Sequence, residues 1–114
     1  MEEKMKYFCK NEARDGTCYH EWIAGAWDDK TVWQDDSLCI HDDVLLETGL
    51  YALFCETIPR FDGCGITAVT AKDWQNARDR AAKIGGITAE AFAEAEAWAA
   101  AALARCGTIT MLGI

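Results

Sequence analysis

Turn-forming residues punctuate the first 43 positions of this chain. Asp15-Gly16, Asp28-Asp29 and Asp35-Asp36 follow one another at short intervals, and Asp42-Asp43 closes the series. Asp side chains bond to nearby backbone N–H groups, and Asp-Gly is a strong turn signal. The stretches between these signals read as the strands of a meander. Met5, Tyr7 and Cys9 alternate with Lys4, Lys6, Phe8 and Lys10, a period-two spacing that predicts a first strand. Cys18–Trp27 is rich in β-formers and aromatics and predicts a hairpin partner for it. Thr31–Gln34 and Leu38–His41 predict a third and a fourth short strand.

From Val44 onward the punctuation thins and the period changes. Leu45, Leu46, Leu50, Leu53, Phe54 and Ile58 carry helical spacing, so a helix is predicted over about 44–57. Asp42 or Asp43 is the expected cap, Gly49 allows close approach, and Pro59 stops the helix. Ile66–Val69 predicts a short strand. Thr70-Ala71-Lys72-Asp73 has the form of a capping box with Asp in place of Glu, opening a helix that ends at Gly85-Gly86. Thr88 is the expected cap of a last helix through about Arg105, closed by Gly107. Residues 108–112 are a last strand or a tail. The fold class expected is α+β: an N-terminal antiparallel meander of three to four strands, then three helices packed on the sheet, with short strands near 66–69 and 108–112. At 114 residues the chain is expected to form a single domain over 1–114.

The charge is one-sided. Residues 1–65 hold 14 acidic against 6 basic side chains, a net −8, whereas residues 66–114 hold 5 of each. Such asymmetry concerns partners and solubility, not fold. Net −8 repels phosphates, so direct nucleic-acid binding is not expected. The longest apolar window, 89–103, is interrupted by Glu90, Glu94 and Glu96, so no membrane span is predicted. Met1–Lys6 has no apolar stretch behind its charges, which argues against a secretory signal and for a cytoplasmic location.

In a reducing compartment the six cysteines should be thiols, and apolar contexts such as Leu53-Phe54-Cys55 predict that at least four are buried. Cys18-Tyr19-His20 and Cys39-Ile40-His41 are both Cys-x-His and contain the only two histidines. On adjacent strands two such pairs offer Cys18, His20, Cys39 and His41 as a tetrahedral zinc set. The spacing lacks the usual short gap between cysteines, so zinc is the alternative here and no cofactor is the leading expectation. Cys64, in Asp62-Gly63-Cys64-Gly65, is the one thiol in a Gly-rich turn, and a thiol-dependent enzyme is the third reading. No phosphate loop or dinucleotide fingerprint is present, and adjacent Asp residues point opposite ways in extended chain, so no catalysis is expected.

The leading expectation is a binding face. Aromatic anchors ringed by carboxylates would speed association with a basic partner. The expected contact residues are Asp28, Asp29, Asp35, Asp36, Asp42 and Asp43 with Trp27 and Trp33. A small acidic protein of this kind suits an inhibitor that neutralises a basic protein such as a nuclease or toxin. Toxin-immunity proteins and phage-encoded inhibitors of defence nucleases, anti-CRISPR proteins among them, share this size and charge. The competing account is local: the tryptophans are core, and the Asp pairs are turns and a helix cap.

Overall fold

The computed structural model describes residues 5–113 and is α+β: five antiparallel strands with four helices packed on the sheet. The strands are β1 (Cys9–Lys10), β2 (Tyr19–Ala24), β3 (Leu38–His41), β4 (Ile66–Thr70) and β5 (Thr108–Leu112). The helices are α1 (Asp42–Glu47), α2 (Leu50–Thr57), α3 (Ala71–Ile84) and α4 (Gly86–Cys106). Spatial order is β1-β3-β2-β5-β4, every neighbouring pair antiparallel. The C-terminal segment is thus an interior strand, with β2 on one side and β4 on the other. Among the described residues no helix is long and apolar enough to cross a membrane.

Three N-terminal expectations are corrected. β1 pairs with β3 rather than with β2, with Cys9 opposite Cys39. The alternation over residues 5–10 produces only a two-residue strand. The N–H groups of Lys6, Tyr7 and Phe8 instead donate to the Glu94 carboxylate on α4, at 2.9, 2.7 and 2.8 Å. Residues 31–34 form no strand. Their backbone is a loop in which Trp33 takes a left-handed conformation (φ 57°), which no ladder accommodates.

The predicted helix over 44–57 is two helices. Gly49 sits between them at φ 83°, and a Cβ there would lie 2.8 Å from Thr88 Oγ1. The close approach expected of Gly49 is therefore to α4. Thr88 does not cap α4. It is buried, and its hydroxyl donates to the Thr48 carbonyl (2.7 Å) freed at the break. Gly85 holds the N-cap position of α4. Neither Asp42 nor Asp43 caps α1: the cap is His41, whose Nδ1 accepts from Asp43 N–H (3.1 Å), with both Asp residues in the first turn. The Thr70/Asp73 capping box of α3 is present in both directions at 3.1 Å.

One hydrophobic core joins the helices to the inner sheet face. Trp22 of β2 sits at its centre, edge-on to Phe8, Phe54 and Trp74. Phe92 stacks on Trp74 at 4.4 Å between ring centres. Ala91, Ala95, Ala99 and Ala102 are all buried, the small side chains that let α4 lie close to its neighbours. β4 alternates strictly, with Thr67 and Val69 buried and Ile66, Ala68 and Thr70 exposed.

Candidate functional site

Register fixes the two faces of the sheet. Residues directly opposite on antiparallel strands share a face. Trp22, Met111 and Thr67 form one row toward the helices; Glu21, Leu112 and Ile66 form the next row, on the outer face. Residues 25–37 fold over part of that outer face and leave the rest open. Between this loop and the sheet lies a cleft of about 420 Å³, with Tyr19, Trp27, Val32, Trp33, Ile66 and Leu112 in its walls and Glu21 at its floor. Its lining contains no lysine, arginine or histidine. Val32 and Ile66 are 48% and 58% exposed, two of the five exposed large apolar side chains among the described residues.

Glu21 organises the loop. It is 1% exposed, and its carboxylate accepts from the backbone N–H of Trp33 (2.6 Å), that of Gln34 (2.7 Å) and the Ser37 hydroxyl (2.5 Å). A buried carboxylate is tolerated when donors surround it in this way. Trp33 is also gripped from the other side. Asn11 Nδ2 donates to its carbonyl (2.8 Å), and the Arg14 guanidinium lies 3.8 Å from its ring centre. A bulky residue in left-handed backbone costs about 1–3 kcal/mol and persists only where surrounding contacts over-determine it. Those contacts hold the Trp33 ring half-exposed in the cleft wall.

The rest of the loop is pinned by its own side chains. Trp27 Nε1 donates to Thr31 O (2.7 Å). Asp28 accepts from Lys30 N–H, Thr31 N–H and the Thr31 hydroxyl at 2.7–2.8 Å, which holds its carboxyl below the usual range. Trp98 Nε1 on α4 donates to Asp36 O (2.8 Å).

The predicted contact residues are partly brought together. Trp27 and Trp33 line the same cleft, and Asp28, Asp29, Asp35 and Asp36 are exposed on the loop that forms its outer wall. Among the described residues, Asp29 and Asp35 make no side-chain hydrogen bond or ion pair, whereas Asp36 lies 3.9 Å from Arg105. Asp42 and Asp43 stand apart on α1. Asp42 accepts from His20 Nε2–H (2.7 Å) and lines a second depression with Leu46, Tyr51, Gly63 and Cys64. Cys64 and Gly65 border the cleft as well, so the two depressions meet at Cys64.

The zinc set does not assemble. Tyr19 pairs with His41 and His20 with Ile40, so the two histidines lie on opposite sheet faces. His20 is buried against Asp42, His41 caps α1, Cys39 is buried on the outer face, and Cys18 is exposed. Among the described residues no three Cys, His, Asp or Glu side chains are placed to hold a metal ion. The expected burial of most cysteines is also corrected: Cys18, Cys55, Cys64 and Cys106 are exposed, Cys9 is half-buried and only Cys39 is buried. Cys55, for example, falls on the solvent side of the short helix α2, beside the buried Leu53 and Phe54.

Glu21, Tyr19, Val32, Ile66 and Leu112 are the cleft residues that sequence reasoning missed, along with Arg14 against the Trp33 ring. The available signal was Glu21 itself, one acid inside an otherwise apolar strand pattern. Comparison with protein-family models, with curated proteins and with solved structures finds no match to this chain.

Proposed function

We propose that this chain is a non-enzymatic binding protein whose aromatic cleft, with the acidic loop over it, takes a basic protein partner and thereby inhibits it. The observation that carries this reading is Trp33. Its strained backbone is held by a buried carboxylate, by Asn11 and by Arg14, and the result is an indole half-exposed beside Trp27. Strain of this kind concentrates at binding sites, and tryptophan is enriched among interface anchors. The unpaired Asp29 and Asp35 carboxylates stand on the same loop, and the net −8 of residues 1–65 favours a cationic partner. A nuclease or a toxin with a basic active face has the complementary chemistry. An inhibitor of this type needs no cofactor.

The test is interferometry and activity assay against a panel of purified basic nucleases and nuclease toxins between 50 and 500 mM salt. Expected is a panel member that binds and loses activity, with an on-rate that falls roughly tenfold or more across the series. Trp27→Ala with Trp33→Ala should weaken that complex at least about 100-fold, the loss of two anchors. Asp29→Lys with Asp35→Lys should slow association and leave dissociation nearly unchanged. Binding that ignores both pairs of substitutions, or no binding across the panel, would overturn the proposal.

A further inference from the structure

The two edges of the sheet are protected unequally. β1 is two residues long, ends in Lys10, and is flanked by backbone already committed to Glu94. Short, charged edges of this kind resist pairing with other chains. β4, at the opposite edge, is five residues of Ile66-Thr67-Ala68-Val69-Thr70, with no charge, no proline and no bulge.

The hydrogen-bond parity of β4 follows from its neighbour. Gly113 N–H donates to Gly65 O (2.7 Å), and the ladder then alternates, so Thr67 and Val69 turn their backbone groups to β5. Ile66, Ala68 and Thr70 turn theirs outward. At Thr70 the N–H is used by Asp73 and the carbonyl lies at the start of α3. Among the described residues the N–H groups of Ile66 and Ala68 have no partner. Their side chains are exposed on the outer face, Ile66 at 58%.

We infer that β4 is the interface of a symmetric dimer, paired antiparallel with β4 of a second copy about a two-fold axis at Thr67. This register places Ile66 opposite Ala68 of the other copy, twice. It therefore uses the outward N–H and C=O groups of both residues in four inter-chain hydrogen bonds and needs none from Thr70. An isologous contact of this form is self-complementary. Charge selects a second copy as the occupant. Residues 66–114 are neutral, so two chains meet here without opposing their −8 halves. An axis perpendicular to the sheet keeps both outer faces on one side, so the two clefts open the same way and could engage a repeated or two-fold partner together.

Sedimentation velocity between about 10 µM and about 1 mM covers the range in which a small interface of this kind associates. Expected is a shift from monomer to twice the monomer mass across that range. Ala68→Pro removes one outward N–H without touching the β5 ladder, and Ile66→Lys puts a charge opposite the partner strand. Each should raise the midpoint at least tenfold while far-UV circular dichroism stays native. Amide exchange at Ile66 and Ala68 should slow with protein concentration, and that at Val69 should not. If Ala68→Pro does not fold, Ile66→Lys and the exchange data decide the matter. A wild-type chain that stays monomeric at 1 mM, or a dimer with unchanged midpoint and unchanged Ile66 and Ala68 exchange, overturns the inference. None of these readouts depends on the partner proposed for the cleft.

Discussion

Glu21→Gln isolates the contact on which the cleft depends. The substitution keeps the shape of the side chain and removes its charge. The native carboxylate accepts from three donors and is 1% exposed. The glutamine amide has only one oxygen to accept with, and its NH₂ must face at least one of the three donors. Two losses follow. At least one charge-assisted hydrogen bond, about 1.5–3 kcal/mol, disappears, and a buried donor is left unpaired at about 1–3 kcal/mol. Relaxation of the loop recovers some of this, since Trp33 is freed from a backbone conformation that itself cost about 1–3 kcal/mol. The net expectation is a destabilisation of about 2–4 kcal/mol. At this chain length that lowers Tm by roughly 8–16 °C.

Urea unfolding gives the global value, and native-state amide exchange locates it. The Trp33 and Gln34 amides should lose protection by about 30-fold or more, beyond the fall expected from global stability alone. Those of the α3 helix should follow only the global change. Glu12→Gln, on the exposed short 3-10 turn at residues 11–13, is the control and should be within about 0.5 kcal/mol of wild type. If Glu21→Gln matches that control and Trp33 and Gln34 stay protected, then the buried carboxylate does not hold the loop.

Other parts of the molecule give equally direct expectations. Thr88→Val leaves the buried Thr48 carbonyl without its donor and should cost about 1–3 kcal/mol in urea unfolding. Gly49→Ala should cost at least as much, because it combines the left-handed backbone with the 2.8 Å approach to Thr88. Burial pushes the Cys39 thiol up to about 12, so iodoacetamide at pH 8 should label Cys18, Cys55, Cys64 and Cys106 and spare Cys39, as read by peptide mass spectrometry. Because the unfolded thiol ionises near 8.5 and the folded one near 12, Cys39 contributes stability below about pH 8.5 that is lost as pH rises toward 12. Cys39→Ala should make the decline between pH 9 and 10.5 shallower, and an unchanged slope would refute the assignment. Glu94→Gln weakens the anchor for the Lys6, Tyr7 and Phe8 amides, and their exchange should quicken while that of β5 stays slow.

What the sequence made legible was what local chemistry decides. α3 announces both ends, through a reciprocal Thr70/Asp73 cap and Gly85, and the structure keeps both. Gly107 closes α4 in the left-handed conformation its position calls for. Pairing order was not legible, because it is set by contacts distant in sequence. Nothing within residues 5–24 shows that β3 will lie between β1 and β2. The break at Gly49 has the same character: its cause is Thr88, which reads locally as a cap and acts instead across the fold. The candidate site was half legible for this reason. Trp27 and Trp33 stand out as aromatics beside acids, but the residue that positions Trp33 lies twelve positions earlier in a strand. A lone glutamate between His20 and Trp22 looks like a solvent-facing position, and only the folded loop reveals what surrounds it.

The same structure separates acids with a local use from acids without one. Glu21 holds the loop, Asp28 closes its own turn, Asp42 engages His20, and Asp62 accepts the Cys64 N–H within a tight turn. These account for their residue type without any partner. Asp35 has no such use, and Asp29 sits in left-handed backbone (φ 67°), which asparagine accepts as readily, so neither position requires its charge. Uncompensated like charge on one half of a small domain opposes compaction, so its retention at these positions adds nothing to the fold. Both lie on an irregular segment held by Glu21, Asn11 and Trp98, beside its two half-exposed loop tryptophans. A loop stiffened at the expense of strain at Trp33 loses little entropy on binding, and fixed charges at its surface act before contact is made. Rigid aromatic anchors and unpaired acids are separate requirements of fast, tight capture of a cationic surface, and residues 25–37 supply both.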